Sequence, residues 1–238
     1  MKIVAIGGAR STESFRKMIR HALKMTGKKN PNVLSIPTAI TDEPKYVENF
    51  DSRYKKIMKC KTDSLLIAKL NISKKEMQKK IDWADAVHVC GGNTLKMMRR
   101  WRRIGLDKII LKAIKQGKVF YGESAGAICW FSYGHSDSMW YYNKKKWDYI
   151  FVKGFGLIDA YVAPHFYEEK RRVNSIKKLV DKKNIKLIGI DADAAIVVDG
   201  KNIYSIKGSN KGNVYVVEKV NNKPTIRKFN EKKDILKI

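Results

Sequence analysis

The sequence predicts an α/β fold, a mostly parallel sheet with helices on both faces followed by a C-terminal antiparallel β-meander. Three observations carry this. Short apolar runs of strand length alternate with segments of helical period through the first 190 residues, as in the βαβ units of a parallel sheet. Several of these runs end directly in glycine, at Gly7, Gly91 and Gly122, where a strand of such a sheet hands over to a loop at its carboxyl end. After Ala194 the runs become short and evenly parted by turn residues, which reads as antiparallel strands.

Lys2 to Ile6 is a buried first strand that turns at Gly7-Gly8. Ser11 or Thr12 caps a helix through about Thr26, with Phe15, Ile19, Ala22 and Leu23 at helical spacing. Dinucleotide binding is a poor reading of this strand and helix, because G-x-G-x-x-G is absent, and there is no phosphate-binding P-loop. Asn32 to Ile36 is the second strand, followed by a loop to Pro44 and a basic amphipathic helix from about Lys45 to Cys60. Ser64 to Leu70 is a third apolar run, and Ser73, with Glu76 three residues on, starts a short helix to Trp83. Ala86 to Cys90 forms the next buried strand, in which His88 reads as a core histidine. Gly91-Gly92-Asn93-Thr94 then leads into a helix containing Leu95, Met98 and Trp101. Glu168 to Asp181 reads as a helix. The meander comprises Ala194–Val198, Ile203–Ile206, Val214–Val217 and Thr225–Phe229. No linker or internal repeat interrupts the chain, so residues 1–238 are expected to form one domain.

Composition narrows the function classes. No apolar stretch is long enough to span a bilayer and the N-terminus lacks signal-peptide architecture, so a cytoplasmic protein with no membrane partner is expected. Cys60, Cys90 and Cys129 form no C-x-x-C pair and read as reduced, buried thiols. The formal charge of +27 comes from 39 Lys and 11 Arg spread along the whole chain, without an aromatic-interleaved cluster. Dedicated nucleic-acid readers lean on arginine, so no specific nucleic-acid partner is expected.

Lys118 to Phe131, KVFYGESAGAICWF, carries the chemistry. Its G-x-S-x-G places Ser124 at a sharp strand-to-helix turn, where the backbone is strained and small residues must lie two positions to either side. The Ala125 N–H then opens a helix, where free donors and the positive dipole end stabilise an oxyanion. The Gly92 N–H, at the carboxyl end of another strand, can supply a second donor. The bare pattern arises by chance in roughly one chain in ten of this length; strand before and helix after make it specific.

Together with these pieces, AIGG near the start, VCGGNTLKMM at Val89 to Met98 and APHF at Ala163 to Phe166 resemble the peptidase E family of serine peptidases, which includes aspartyl dipeptidase and cyanophycinase. The resemblance implies a fold like that of class I glutamine amidotransferases and no cofactor. It also implies Ser124 as nucleophile, His165 as general base, and Gly92 and Ala125 as oxyanion donors. His165 has its own support, since it follows an apolar strand and Pro164; His135, eleven residues past Ser124, is the rival. An α/β-hydrolase is disfavoured, because its histidine comes late in the chain and none follows His165 here.

The chain departs from the family at the third member, for Ala192 stands where the family places a glutamate. Asp191 and Asp193 flank it, and Asp137 fits an older family assignment. The expected orienting acid is Asp191, Asp193 or Asp137. The leading reading is a cytosolic serine hydrolase that cleaves a short peptide at a peptide or isopeptide bond beside aspartate, through an acyl-enzyme. The alternatives are a catalytically inactive homologue that binds a ligand, and a basic nucleic-acid-binding protein. The oligomeric state is open, a homodimer being the assembly considered.

Overall fold

In chain order the elements are β1 (Lys2–Ile6), α1 (Thr12–Lys24), β2 (Asn32–Ile36), α2 (Pro44–Ser52), β3 (Lys61–Ser64), α3 (Lys74–Trp83), β4 (Ala86–Val89), α4 (Thr94–Ile104), α5 (Leu106–Lys115), β5 (Val119–Glu123) and α6 (Ala125–Ile128). There follow β6 (Phe131–Ser136), β7 (Ile150–Lys153), β8 (Ile158–Pro164), α7 (Lys170–Lys183), β9 (Leu187–Ile190), β10 (Ala194–Asp199), β11 (Asn202–Lys207), β12 (Val214–Val220) and β13 (Lys223–Lys228). The computed structural model describes residues 1–183, 185–234 and 236–238.

The strands divide into two sheets. The first has the order β11-β10-β1-β5-β4-β2-β3, and its five strands from β1 to β3 are mutually parallel. This is the predicted parallel sheet. The second, β13-β12-β9-β8-β6-β7, is mixed, with parallel β6–β8 and β8–β9 pairs. The four C-terminal strands are present and pair as two antiparallel hairpins. They do not form one continuous meander, because β10–β11 extends the first sheet beside β1 while β12–β13 extends the second beside β9.

Alternation along the strands builds the layers, since successive side chains point to opposite faces. Val4, Ile6, Val33, Tyr121 and Val197 join Met18, Ile19 and Leu23 of α1 and Phe50 of α2. Ile3, Ala5, Leu34, Val87, Phe120 and Ile196 face the other way, onto α3, α4 and α5 and onto Val162, Ile188 and Ile190 of the second sheet. Burial on both faces explains why these strands read as continuous apolar runs. Ala163, Leu187 and Val217, on the far side of the second sheet, are covered by Val173, Ile176 and Val180 of α7. Each large apolar side chain so buried contributes about 2 kcal/mol.

The helices begin at polar caps. Ser11 accepts the Ser14 N–H at 3.1 Å, Ser73 the Glu76 N–H at 3.1 Å, and Asn93 the Lys96 N–H at 2.9 Å. Two expected elements differ. The third apolar run is not strand, because β3 ends at Ser64 where the run begins; Leu65 and Ile67 are buried in irregular backbone. The Arg100 guanidinium satisfies that backbone, donating to the Ile67 and Leu70 carbonyls at 2.6 and 2.7 Å. The second helix is α-helical only to Ser52 and continues as a π-turn over Arg53–Ile57. Among the described residues no helix is long and apolar enough to cross a membrane.

Candidate active site

Ser124 sits between β5 and α6 with φ 53° and ψ −109°, a backbone region that side-chain-bearing residues avoid. Its neighbours hold it there. The Ser124 N–H donates to the Ile6 carbonyl at 3.0 Å, and the Ala127 and Ile128 N–H groups donate to the Ser124 carbonyl at 2.9 and 3.1 Å. The two motif glycines share a cause, the Val89 carbonyl of β4, to which the Gly126 backbone adds at 122. A Cβ at Gly122 would lie 2.4 Å from that oxygen, and one at Gly126 2.1 Å from it. Any side chain at either position would drive the elbow off the sheet.

The Gly91-Gly92 loop runs beside the elbow. A Cβ on Gly91 would lie 3.2 Å from that of Ser124. Gly92 adopts φ 130°, and a Cβ there would meet the Ala39 carbonyl at 2.5 Å. No hydrogen bond among the described residues engages the Gly92 or Ala125 N–H. A recess of about 390 Å³ opens beside Glu123, lined also by Arg10, Phe15 and Arg53. Another of about 630 Å³ opens beside Asn93, lined by Ile40, Tyr46, Lys96 and Tyr141.

His165 follows β8 with φ 51°, and its N–H donates to the Gly7 carbonyl at 3.1 Å. Ser124 and His165 therefore hang from successive carbonyls at the end of β1. Gly8 lies under the imidazole, where a Cβ would come within 2.4 Å of Cε1. About a third of the His165 side chain remains exposed. Burial, and then the Arg172 guanidinium, hold its pKa below the ordinary value of 6.5, with Asp137, Glu169 and Glu123 opposing.

The carboxylate paired with this imidazole is Glu168, absent from the sequence-based candidates. Its Oε2 lies 3.8 Å from His165 Nδ1. The Ala192 N–H donates to it at 3.2 Å, and Arg10 pairs with it. Burial raises the Glu168 pKa, while the Ala192 N–H and Arg10 pull it back. Thus the backbone of Ala192, where the family glutamate was expected, receives a glutamate side chain from another segment. The available signal was local: Glu168 is three residues past His165, in a turn before α7 rather than at the predicted start of that helix.

The three expected aspartates are engaged elsewhere. Asp191 accepts the Tyr167 N–H at 3.2 Å and also meets the Tyr215 hydroxyl. Asp193 accepts from the Arg10 N–H at 2.8 Å, Ser14 Oγ at 2.5 Å and Ser209 Oγ at 2.9 Å, tying α1 to the β11–β12 turn. Asp137 lies 3.9 Å from the buried Arg172 guanidinium and acts on His165 through space. His135, the rival base, is fully buried in the second sheet. It bonds to Ser175 Oγ at 3.0 Å and is pushed down to about 3 by burial and Arg172. His88 is a core histidine as expected, 1% exposed and bonded to Glu123.

A sequence profile of peptidase family S51 matches residues 3–206. The uncharacterized peptidase YgaJ of Bacillus subtilis (strain 168) is 29% identical over 184 residues, 76% of each chain. The uncharacterized peptidase PM1590 of Pasteurella multocida (strain Pm70) is 30% identical over 141 residues, 58% of this chain and 66% of the relative. Among solved structures, one described as a peptidase E protein from Listeria monocytogenes EGD-e matches with a TM-score of 0.63 at 24% identity, over 87% of this chain and 98% of the other. A peptidase from an acI-B1 actinobacterium matches with a TM-score of 0.71 at 17% identity, over 95% and 93%. At these identities the structural likeness speaks for the fold.

Proposed function

The chain belongs to peptidase family S51 and is a peptidase, and from that premise we propose that it works as a serine peptidase with Ser124 as nucleophile, His165 as general base and Glu168 as the acid that orients the imidazole. The observation that carries this reading is the anchoring of Ser124 and His165 on the adjacent Ile6 and Gly7 carbonyls, 41 positions apart in sequence yet side by side at the end of β1. In this reading His165 takes the Ser124 proton as Oγ attacks the substrate carbonyl, then returns it to the leaving amine. The Gly92 and Ala125 N–H groups receive the oxyanion. Water, deprotonated by the same histidine, then hydrolyses the acyl-enzyme. A depressed His165 pKa keeps the ring neutral, the form a base requires.

The inactive-homologue reading rests on the alanine at 192, and Glu168 beside His165 weakens it. For substrate we propose a short peptide with aspartate at the scissile linkage, because Arg10 and Arg53 line the recess beside Glu123 and a partly dehydrated carboxylate needs a cation. The test has two parts. A fluorophosphonate should label the wild-type protein at Ser124 and leave Ser124→Ala unlabelled. At fixed salt, kcat/KM should be highest for the Asp-initiated member of matched Asp-, Asn-, Leu- and Lys-initiated dipeptides. A preference for Leu or Lys would sink the acidic substrate alone; an unlabelled wild type would sink the serine mechanism.

A further inference from the structure

His88 and Glu123 form a pair that the mechanism above leaves unused. They lie on the neighbouring parallel strands β4 and β5, where His88 is opposite Tyr121. His88 Nε2 is 2.7 Å from Glu123 Oε2. A carboxylate only accepts, so the ring donates from Nε2. Its Nδ1 has no partner among the described residues. The imidazole is stacked against Phe50 and Tyr121 at 5.7 and 5.0 Å, with Phe15 edge-on at 6.4 Å. Burying a polar ring with one nitrogen unsatisfied is unfavourable, and an apolar ring would fill the same space without that cost. The single bond to Glu123 is what distinguishes histidine here.

Glu123 leads from that bond to the chemistry. Its other oxygen, Oε1, accepts the Gly91 N–H at 3.1 Å. Gly91 lies beside Ser124, where an added Cβ would come within 3.2 Å of the serine Cβ, and precedes Gly92, whose backbone holds φ 130°. On the far side of Gly92, the Asn93 N–H donates to the Ala39 carbonyl at 2.9 Å. The loop is thus pinned on either side of Gly92, by a main-chain bond at Asn93 and by a side chain at Gly91. The second pin is a residue adjacent to the nucleophile and is immobilised from behind by His88.

We propose that Glu123, held by His88, is a positioning residue that clamps the Gly91 N–H and so aims the Gly92 N–H at the oxyanion. This rests on the serine peptidase reading. The requirement is for length and an acceptor in the right place rather than for negative charge. Glutamine keeps both, and its amide N–H can meet His88 Nε2 once the ring proton moves to Nδ1. Aspartate keeps the charge but is one methylene too short to reach both partners.

The experiment is the second-order rate of fluorophosphonate labelling at Ser124 in wild type, Glu123→Gln, Glu123→Asp and Glu123→Ala, with melting temperatures recorded for each. Glu123→Gln should stay within about 5-fold of wild type, whereas Glu123→Asp and Glu123→Ala, which misplace the donor, should slow by about 100-fold. If Glu123→Ala fails to fold, the order of Gln and Asp decides. An Asp variant as fast as the Gln variant, or all folded variants at wild-type rate, overturns the clamp while leaving the serine reading intact. An unlabelled wild type overturns both.

Discussion

Around Ser124 every constraint acts through one backbone turn, whereas the groups that meet at His165 come from three separate segments. The Val89 carbonyl bars a side chain at 122 and at 126, with the Gly126 backbone adding to it at 122, and the strained serine lies midway between them. On the other side, His165 stands after β8, Glu168 in the turn beyond it, Arg10 in the β1–α1 loop and Ala192 after β9. The proposed nucleophile needs a particular backbone conformation, and that leaves a fixed spacing in the sequence. The proposed acid needs only to bring an oxygen to an imidazole nitrogen, and several chain positions can do so.

The comparison breaks first if the two sides do not act as a unit. Ser124→Ala and His165→Ala should each lower kcat by about 10⁶-fold, and the double variant should be no slower than either single. Rapid-quench turnover of the best substrate measures this; a double variant far slower than both singles would show that the two residues contribute independently.

The next effect separates the acid from its neighbours. Glu168→Gln should lower kcat by up to about 10⁴-fold, since an orienting carboxylate fixes the imidazole tautomer. Asp191→Asn should keep kcat within a few fold, because asparagine still accepts the Tyr167 N–H. Asp193→Ala should leave its hydrogen-bonded donors unpaired and appear in the melting temperature, at about 1–3 kcal/mol. Equal losses in kcat for Glu168→Gln and Asp191→Asn would return the acid to the segment after β9.

The smallest effect is on pH. Burial is the larger cause of the depressed His165 pKa and Arg172 the second. A base works neutral, so the acid limb of kcat/KM should lie below pH 6.5. Arg172→Met removes a cation and should move that limb upward, while Arg172→Lys should leave it nearly in place. For folding the sign is the same. The unfolded histidine protonates near 6.5 and the folded one lower, so the stability from a neutral His165 is complete above pH 6.5 and is lost as pH falls through the folded value. A limb unmoved in Arg172→Met would show that Arg172 does not act on His165.

The parallel sheet and its helices were legible because their signals are short-range. β1, β2, β4 and β5 are apolar on both faces, and Ser11, Ser73 and Asn93 cap the helices they precede. The second sheet was not legible as a separate layer, since β6 carries Ser132, Tyr133 and His135 and reads as a polar loop until the sheet buries it. The run from Ser64 to Leu70 looked like strand because it is apolar, but a guanidinium from α4, about 30 positions away, takes up the Ile67 and Leu70 carbonyls.

The same division runs through the site. The sequence by itself determined the elbow at Ser124, the glycine loop at Gly91-Gly92 and the histidine after Pro164, because each depends on backbone geometry that only certain neighbouring residues permit. Only the tertiary structure decided which carboxylate faces that histidine. The positive φ at His165 turns the chain, and bonds from the Phe166 N–H to the Ile190 carbonyl and from the Tyr167 N–H to Asp191 tie the turn to the end of β9. Glu168 is thereby carried back to the imidazole, while Asp191, nearer the family's position in sequence, is occupied in holding the turn.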